Sequence, residues 1–297
     1  FFFKQKTAYE FKCDWSSDVC SSDLNAEALK LTALTGLLLN CEIPAHAKFD
    51  RKNYFYPDSP KNYQVTQYDR PSTRNGYLDF EMGGRIVRVR VTRAHLEEDV
   101  GKSSHFDRHS GVDFNRAGVP LMEIVSEPDI TGPDMAVCYL EALKEVLIRG
   151  GISDCDMEKG MVRCDVNVSV RPKGAAKLGE KVEIKNMNSF SGVRRALDYE
   201  IPRQIEALGA GRPILQETRR WDDVAGITEP MRSKEDAHDY RYFPEPDLMP
   251  FEPGPDWLAE VRSRMVEMPL TRKLRLIQEY GIPAGDAEVL KSAPGLA

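Results

Sequence analysis

MVRCDVNVSVR (residues 161–171), with EKVEIKN (180–186) and SFSGVRRALDYEIPRQIEAL (189–208) behind it, is the stretch whose reading decides the fold class. Val162, Cys164, Val166, Val168 and Val170 alternate with Arg163, Asp165, Asn167, Ser169 and Arg171. Successive side chains of a strand point to opposite faces, so this is a strand with one apolar and one ionic face. Val182 and Ile184 alternate with Lys181, Glu183 and Lys185 in the same way. The two segments are predicted to pair antiparallel and to lead into a helix, where Phe190, Val193, Leu197, Ile201 and Ile205 recur at helical spacing and Pro202 predicts a kink. Strands followed by helices without a regular βαβ repeat define an α+β chain, a largely antiparallel sheet with packed helices.

On the amino-terminal side, Thr131–Gly150 carries Pro133 in its first turn and closes on Gly150-Gly151, the clearest helix of the chain. Arg85–Val91 alternates valines with Arg88 and Arg90 and reads as a strand with a wet, basic face. Ala26–Leu39 is helical and ends near Asn40. FDRKNYFYPDSPKNYQ (49–64) lies in a segment, 48–67, dense in Tyr, Asp, Lys and Pro, which predicts a structured loop. On the carboxyl side, PEPDLMPFEPGP (244–255) reads as an extended linker, and residues 256–297 as helical.

Composition narrows the function classes. A chain of 297 residues with 41% hydrophobic content can bury a full core. Its net charge of −6 provides no global basic excess for nucleic acid, although a local basic face is compatible with it. No apolar run approaches the ~20 residues a bilayer requires. The six cysteines show no C-x-x-C spacing, and three sit in contexts that predict buried free thiols, a pattern suited to a reducing cytoplasm rather than to a disulfide or zinc framework. Residues 1–24, with the repetitive WSSDVCSSD, differ from all that follows. They read as the translation of a sequencing adapter, with the native message expected to begin near Asn25.

The chemistry concentrates between Arg93 and Asp129, in RAHLEEDVGKSSH and NRAGVPLMEIVSEPD. Gly101-Lys102-Ser103 imitates the end of a phosphate-binding loop, but Leu96 stands where that loop needs glycine, and the tripeptide reads as a surface turn. No G-x-G-x-x-G, H-E-x-x-H or G-x-S-x-G is present. What remains is carboxylate chemistry. Glu97, Glu98 and Glu123, with Lys52 as a charge partner, could hold magnesium and a nucleotide without a phosphate loop. Spacing alone leaves the alternative open, in which Glu97–Asp99 form a solvated acidic turn and Glu123 pairs with Arg116 or Arg93.

Seven segments, FDRKNYFYPDSPKNYQ (49–64), HLEEDVGKS (95–103), NRAGVPLMEIVSEPD (115–129), RCDVNVSVR (163–171), EIKNMNSF (183–190), QETRRWD (216–222) and DYRYFPEPDLMP (239–250), together resemble the B subunit of the aspartyl/glutamyl-tRNA amidotransferases. The resemblance implies a cradle-like catalytic domain over 25–252 and the start of a helical tRNA-binding domain over 253–297. It implies an enzyme that phosphorylates, with ATP and magnesium, the side-chain carboxylate of misacylated Glu-tRNA(Gln) or Asp-tRNA(Asn). Ammonia released by a partner glutaminase then displaces the phosphate, and a small third partner holds the other two together. Glu98 and Glu123 with Lys52 are the implied catalytic groups; Glu97, Glu98 and Glu123 are the implied metal ligands, and Lys52 and Glu97 the implied nucleotide contacts. Arg163 and Asp165 would line the cavity or a tunnel, and Tyr240, Arg241 and Tyr242 would either close the domain or meet the tRNA end. The competing reading keeps the fold but not the catalysis, as a tRNA-binding or assembly module of the same complex.

Two departures accompany the resemblance. The family's amino-terminal Gly-Leu-Glu-x-His segment, which contributes metal ligands, would fall where residues 1–24 stand, and the helical domain stops early. The expectation is a polypeptide inactive as written.

Overall fold

The computed structural model describes residues 2–4, 24–157, 159–233 and 240–292. Its helices are α1 (Ala26–Leu38), α2 (Pro133–Arg149), α3 (Phe190–Gly209), α4 (Pro255–Ser263), α5 (Pro269–Tyr280) and α6 (Ala284–Lys291). Its strands are β1 (Phe2–Lys4), β2 (Asp50–Asn53), β3 (Tyr63–Thr66), β4 (Gly76–Met82), β5 (Arg85–Glu98), β6 (Lys102–His105), β7 (Ser110–Asp113), β8 (Pro120–Ser126), β9 (Val162–Val168), β10 (Val182–Met187), β11 (Glu217–Asp222), β12 (Ile227–Ser233) and β13 (Arg241–Pro244). The chain divides into two compact units, one from Ile130–Glu141 and Asp156–Asp239, the other from Phe2–Asp129, Ala142–Cys155 and Tyr240–Ala297. Both mix helices with mainly antiparallel strands, as an α+β chain should.

In the first unit the strands lie in the order β12-β11-β10-β9. β9 and β10 pair antiparallel as their alternation requires, Val182 opposite Val168 and Ile184 opposite Val166. Cys164, Val182, Ile184 and Met187 then face Val193, Ala196 and Leu197 of α3 and Trp221 of β11 in one apolar core. The opposite face carries ions: Lys185 Nζ lies 2.8 Å from Asp165 and 3.4 Å from Glu183. α3 starts on Ser189, whose Oγ accepts from Gly192 N at 2.9 Å, and continues through Pro202. Glu200 on α3 is fully buried and accepts from both Arg203 Nε and Nη2 (2.8 and 2.6 Å), Gln204 Nε2 (2.9 Å) and Thr228 Oγ1 (2.7 Å).

In the second unit the order is β1-β8-β5-β4. β4 and β5 are joined by Gly83-Gly84, both at positive φ (58° and 73°), the conformation a two-residue hairpin turn needs and glycine supplies without strain. α1 is capped by Asn25, whose Oδ1 accepts from Glu27 N and Ala28 N at 2.9 and 3.1 Å. Ala28 and Leu29 of α1 pack with Phe49 and Leu96, and Phe251 and Trp257 close the cluster. Gly76, at the start of β4, lies against the chain that leaves α1: an added Cβ would sit 2.2 Å from Cys41 Sγ and 2.5 Å from the Leu39 carbonyl oxygen. Gly76→Ala is therefore expected to destabilise the protein by about 1–3 kcal/mol, read as a lower urea midpoint at unchanged slope.

Several expectations are corrected. Residues 48–67 are not a loop: β2 and β3 pair antiparallel, and β13 joins β2 on its other edge. Their aromatic and charged residues lack the apolar alternation by which such short strands are recognised. Residues 244–255 are not a free linker. Glu245 N donates to Phe49 O, Phe251 pairs with Ala47, and the buried Glu245 carboxylate takes both Arg51 Nε and Nη2 at 2.8 Å. The Arg85 strand extends to Glu98, and Lys102 and Ser103 begin the β6–β7 hairpin rather than a turn. Most of residues 1–24 lies outside the described residues, but Phe2–Lys4 pair antiparallel with Leu121–Glu123 of β8.

The buried thiols agree with expectation. Cys41 and Cys155 are pushed up to about 11, and Cys164 to about 12, chiefly by burial, so none is a ready thiolate. Cys13 and Cys20 lie outside the described residues. No helix among the described residues is long and apolar enough to cross a membrane.

Candidate active site

β5 and β8 pair with His95 opposite Glu123 and Glu97 opposite Leu121. The period of two places His95 and Glu97 on one face of β5 and turns Glu98 to the other. Over the His95/Glu97 face lies the small sheet β13-β2-β3, in which Lys52 stands opposite Tyr242 on one side and Gln64 on the other. Lys52, Gln64 and Thr66 therefore reach the same carboxylate. Lys52 Nζ is 3.6 Å from Glu97 Oε1, Gln64 Nε2 donates to the same oxygen at 3.3 Å, and Thr66 Oγ1 donates to Oε2 at 2.8 Å.

His95 is 2% exposed, and its Nε2 lies 3.2 Å from Glu123 Oε2. Burial would raise the Glu123 pKa, but the hydrogen bond and charge of His95, together with Lys52, hold it down to about 2. Burial likewise disfavours the Lys52 ammonium, and Glu97, Tyr240, Tyr242 and Glu123 around it outweigh that, so its pKa is raised and the charge is permanent. Aromatic rings wall the ammonium. The Tyr240 ring centroid is 4.9 Å from Lys52 Nζ, Tyr54 packs edge-on against Tyr240 at 5.5 Å, and Tyr242 stacks on Tyr68.

His95, Glu97 and Glu123 each offer one ligand atom, all within 4.8 Å of one another. Two carboxylates and an imidazole fit a divalent cation, in which carboxylate oxygens suit magnesium or manganese and the imidazole nitrogen widens the choice. The charges agree: the carboxylates of Glu97 and Glu123 outnumber the single ammonium of Lys52 beside them. Among the described residues, nothing hydrogen-bonds the buried His95 Nδ1.

Of the four residues singled out from sequence, the fold brings Lys52, Glu97 and Glu123 to one point. Glu98 stands apart, bound by Lys61 Nζ at 2.7 Å and Val65 N at 3.1 Å. The alternative partners of Glu123 are engaged elsewhere: Arg116 lies on Asp99 and the carbonyls of Val100 and Gly101, and Arg93 on the Tyr68 carbonyl. Glu97–Asp99 form no solvated turn, since Glu97 and Asp99 are each 5% exposed. Sequence reasoning passed over His95, although a His and a Glu two residues apart on a strand share a face. Arg163 and Asp165 are on β9, where Asp165 is paired with Lys185.

A model of the GatB/GatE catalytic domain matches residues 17–259. The chain belongs to the GatB/GatE catalytic domain family. Its GatB/GatE relatives include proteins named as the B subunit of aspartyl/glutamyl-tRNA(Asn/Gln) amidotransferase. That of Carboxydothermus hydrogenoformans is 53% identical over 279 residues, covering 92% of this chain and 58% of the relative. That of Methylacidiphilum infernorum is 54% identical over 285 residues, 92% and 59%, and that of Thermodesulfovibrio yellowstonii 50% over 275 residues, 92% and 58%. The chain thus spans somewhat under three-fifths of the length of these curated relatives.

Proposed function

We propose that this chain carries the carboxylate-activating site of a tRNA-dependent amidotransferase, a ligase of protein biosynthesis working in the cytoplasm. The observation that carries the reading is the convergence of Lys52, His95, Glu97 and Glu123 in a family whose relatives bear that name. The side-chain carboxylate of Glu-tRNA(Gln) or Asp-tRNA(Asn) attacks the γ-phosphorus of ATP, and ADP leaves. Ammonia then adds to the acyl phosphate and inorganic phosphate leaves, giving Gln-tRNA(Gln) or Asn-tRNA(Asn). The ammonia comes from a glutaminase partner, with a small third partner completing the heterotrimer.

Such a displacement needs charge neutralised and groups aligned rather than a nucleophilic side chain. A divalent cation, magnesium in the first place, held by His95, Glu97 and Glu123 would when bound neutralise phosphate oxygens. Lys52, fixed in place by Glu97 and the Tyr240 ring, would offer its ammonium to the phosphoryl oxygens. Gln64 and Thr66 hold Glu97 in one rotamer by bonding both of its oxygens. Glu98, with Lys61, anchors β3 to β5 beside this point and acts on the reaction by positioning.

Substituting Glu123→Ala in the full-length protein, assembled with its glutaminase and small partners, tests the reading. Trapping of the acyl phosphate by hydroxylamine is expected to fall at least about 100-fold with tRNA affinity retained. Trapping at the parental rate with weakened tRNA binding would instead establish the non-catalytic tRNA-binding role.

A further inference from the structure

The proposed reaction leaves one built feature beside the site without a task. Tyr68 and Tyr242 stack face to face, centroids 4.1 Å apart and planes 12° from parallel. Tyr68 is nevertheless 52% exposed, so the stack meets solvent on the Tyr68 side. The platform is rigid. Tyr68 N donates to Asp50 Oδ2 at 3.1 Å, and Asp50 is 1% exposed; the Tyr68 carbonyl accepts from Arg93 Nη1 at 2.7 Å. Tyr242 is held in β13, paired with Lys52 of β2.

We infer that the open face of the Tyr68–Tyr242 stack is a seat for an adenine ring. The occupant follows from charge and shape together. Lys52, the cross-strand neighbour of Tyr242, presents its ammonium 3.6 Å from Glu97, which suits the phosphate end of a nucleotide. The aromatic plane next to it suits the base, because stacking requires only a flat π face. The inference rests on the proposed reaction in one respect. That reaction has two adenine-bearing substrates, ATP and the 3′-terminal adenosine of the tRNA, and they share this chemistry.

The test uses Tyr68→Leu, on the exposed ring, with Tyr68→Phe as its conservative counterpart, in the full-length complex. Binding is measured for ATP against inorganic tripolyphosphate, and for Glu-tRNA against the same tRNA with an abasic 3′ end. Tyr68→Leu is expected to weaken one adenine-bearing ligand about tenfold to a hundredfold, to leave its adenine-free counterpart unchanged, and to be rescued by Phe. The arm that responds names the source of the base. If both adenine-bearing ligands bind Tyr68→Leu as they bind the parent, the seat is refuted. So it is if ATP and tripolyphosphate weaken equally, because the ring would then serve the phosphates or Lys52. A parent that binds adenine through Tyr68 but forms no acyl phosphate would refute the reaction and leave the seat standing.

Discussion

Lys52→Met is expected to lower acyl-phosphate formation by about 10²–10³-fold, with the loss in kcat rather than in tRNA binding. Methionine keeps most of the volume and the contact with Tyr240 but removes the ammonium that lies 3.6 Å from Glu97. The same change carries an opposite second signature. Without Lys52 the buried Glu97 and half-buried Glu123 carboxylates lose their cationic neighbour and attract a divalent ion more strongly. At an effective dielectric of about 20 a unit charge a few ångströms away is worth some kcal/mol, so affinity for Mn²⁺ should rise by about tenfold or more. Activity falling while metal affinity rises separates an electrostatic role from collapse of the site. Titration of Mn²⁺ followed by electron paramagnetic resonance measures it, and a parallel loss of both would refute the assignment.

Glu200→Ala is expected to be the most destabilising single change in the unit that carries α3. The carboxylate is fully buried and accepts from Arg203, Gln204 and Thr228, with Arg219 Nε 3.7 Å away. Removing it strands those donors and leaves Arg219, itself 9% exposed, without that counter-charge, a loss of about 3–5 kcal/mol. Burial pushes the Glu200 pKa up, but the bonds from Arg203, Gln204 and Thr228 outweigh it and the net shift is downward. A depressed folded pKa stabilises above the unfolded value, near 4.5, and that contribution is lost as pH falls through the folded pKa. The parental protein should therefore lose stability on acidification below about pH 4.5 more steeply than Glu200→Gln, as urea midpoints across pH 3–7 will show. Equal pH slopes would remove Glu200 from the account.

How much of the fold is legible in the sequence depends on the kind of pattern involved. β9 and β10 are legible because one face is apolar and the other ionic over several residues, and α3 because apolar residues recur at helical spacing, although its buried side also carries Glu200 and Gln204 and leaves Ile205 exposed. β2, β3 and β13 are not: each is four residues long, and Lys52, Gln64 and Tyr242 face a polar site rather than a core. The parallel pairing of β10 with β11 joins segments separated by α3, and no local signal encodes it. In the site, residue types point to Lys52, Glu97 and Glu123, but only the extension of β5 shows that Glu97 and Glu98 diverge and that His95 replaces Glu98 in the cluster. Two carboxylates adjacent in sequence cannot share a face on a strand, and that constraint is the signal that separates them.

The strand that brings Tyr242 beside Lys52 also sets an order of events in time. Asn53 and Arg241, paired across β2 and β13, are 188 residues apart. At ribosomal speeds of about 5–20 residues per second, β2 waits roughly 10–40 s for its partner. Through that interval one edge of β2 has unpaired backbone groups, the usual starting point for pairing between chains. Asp50, Arg51 and Lys52 occupy three of its four positions, so the strand that later lends Lys52 to the site first carries the charges that oppose pairing with another copy of itself.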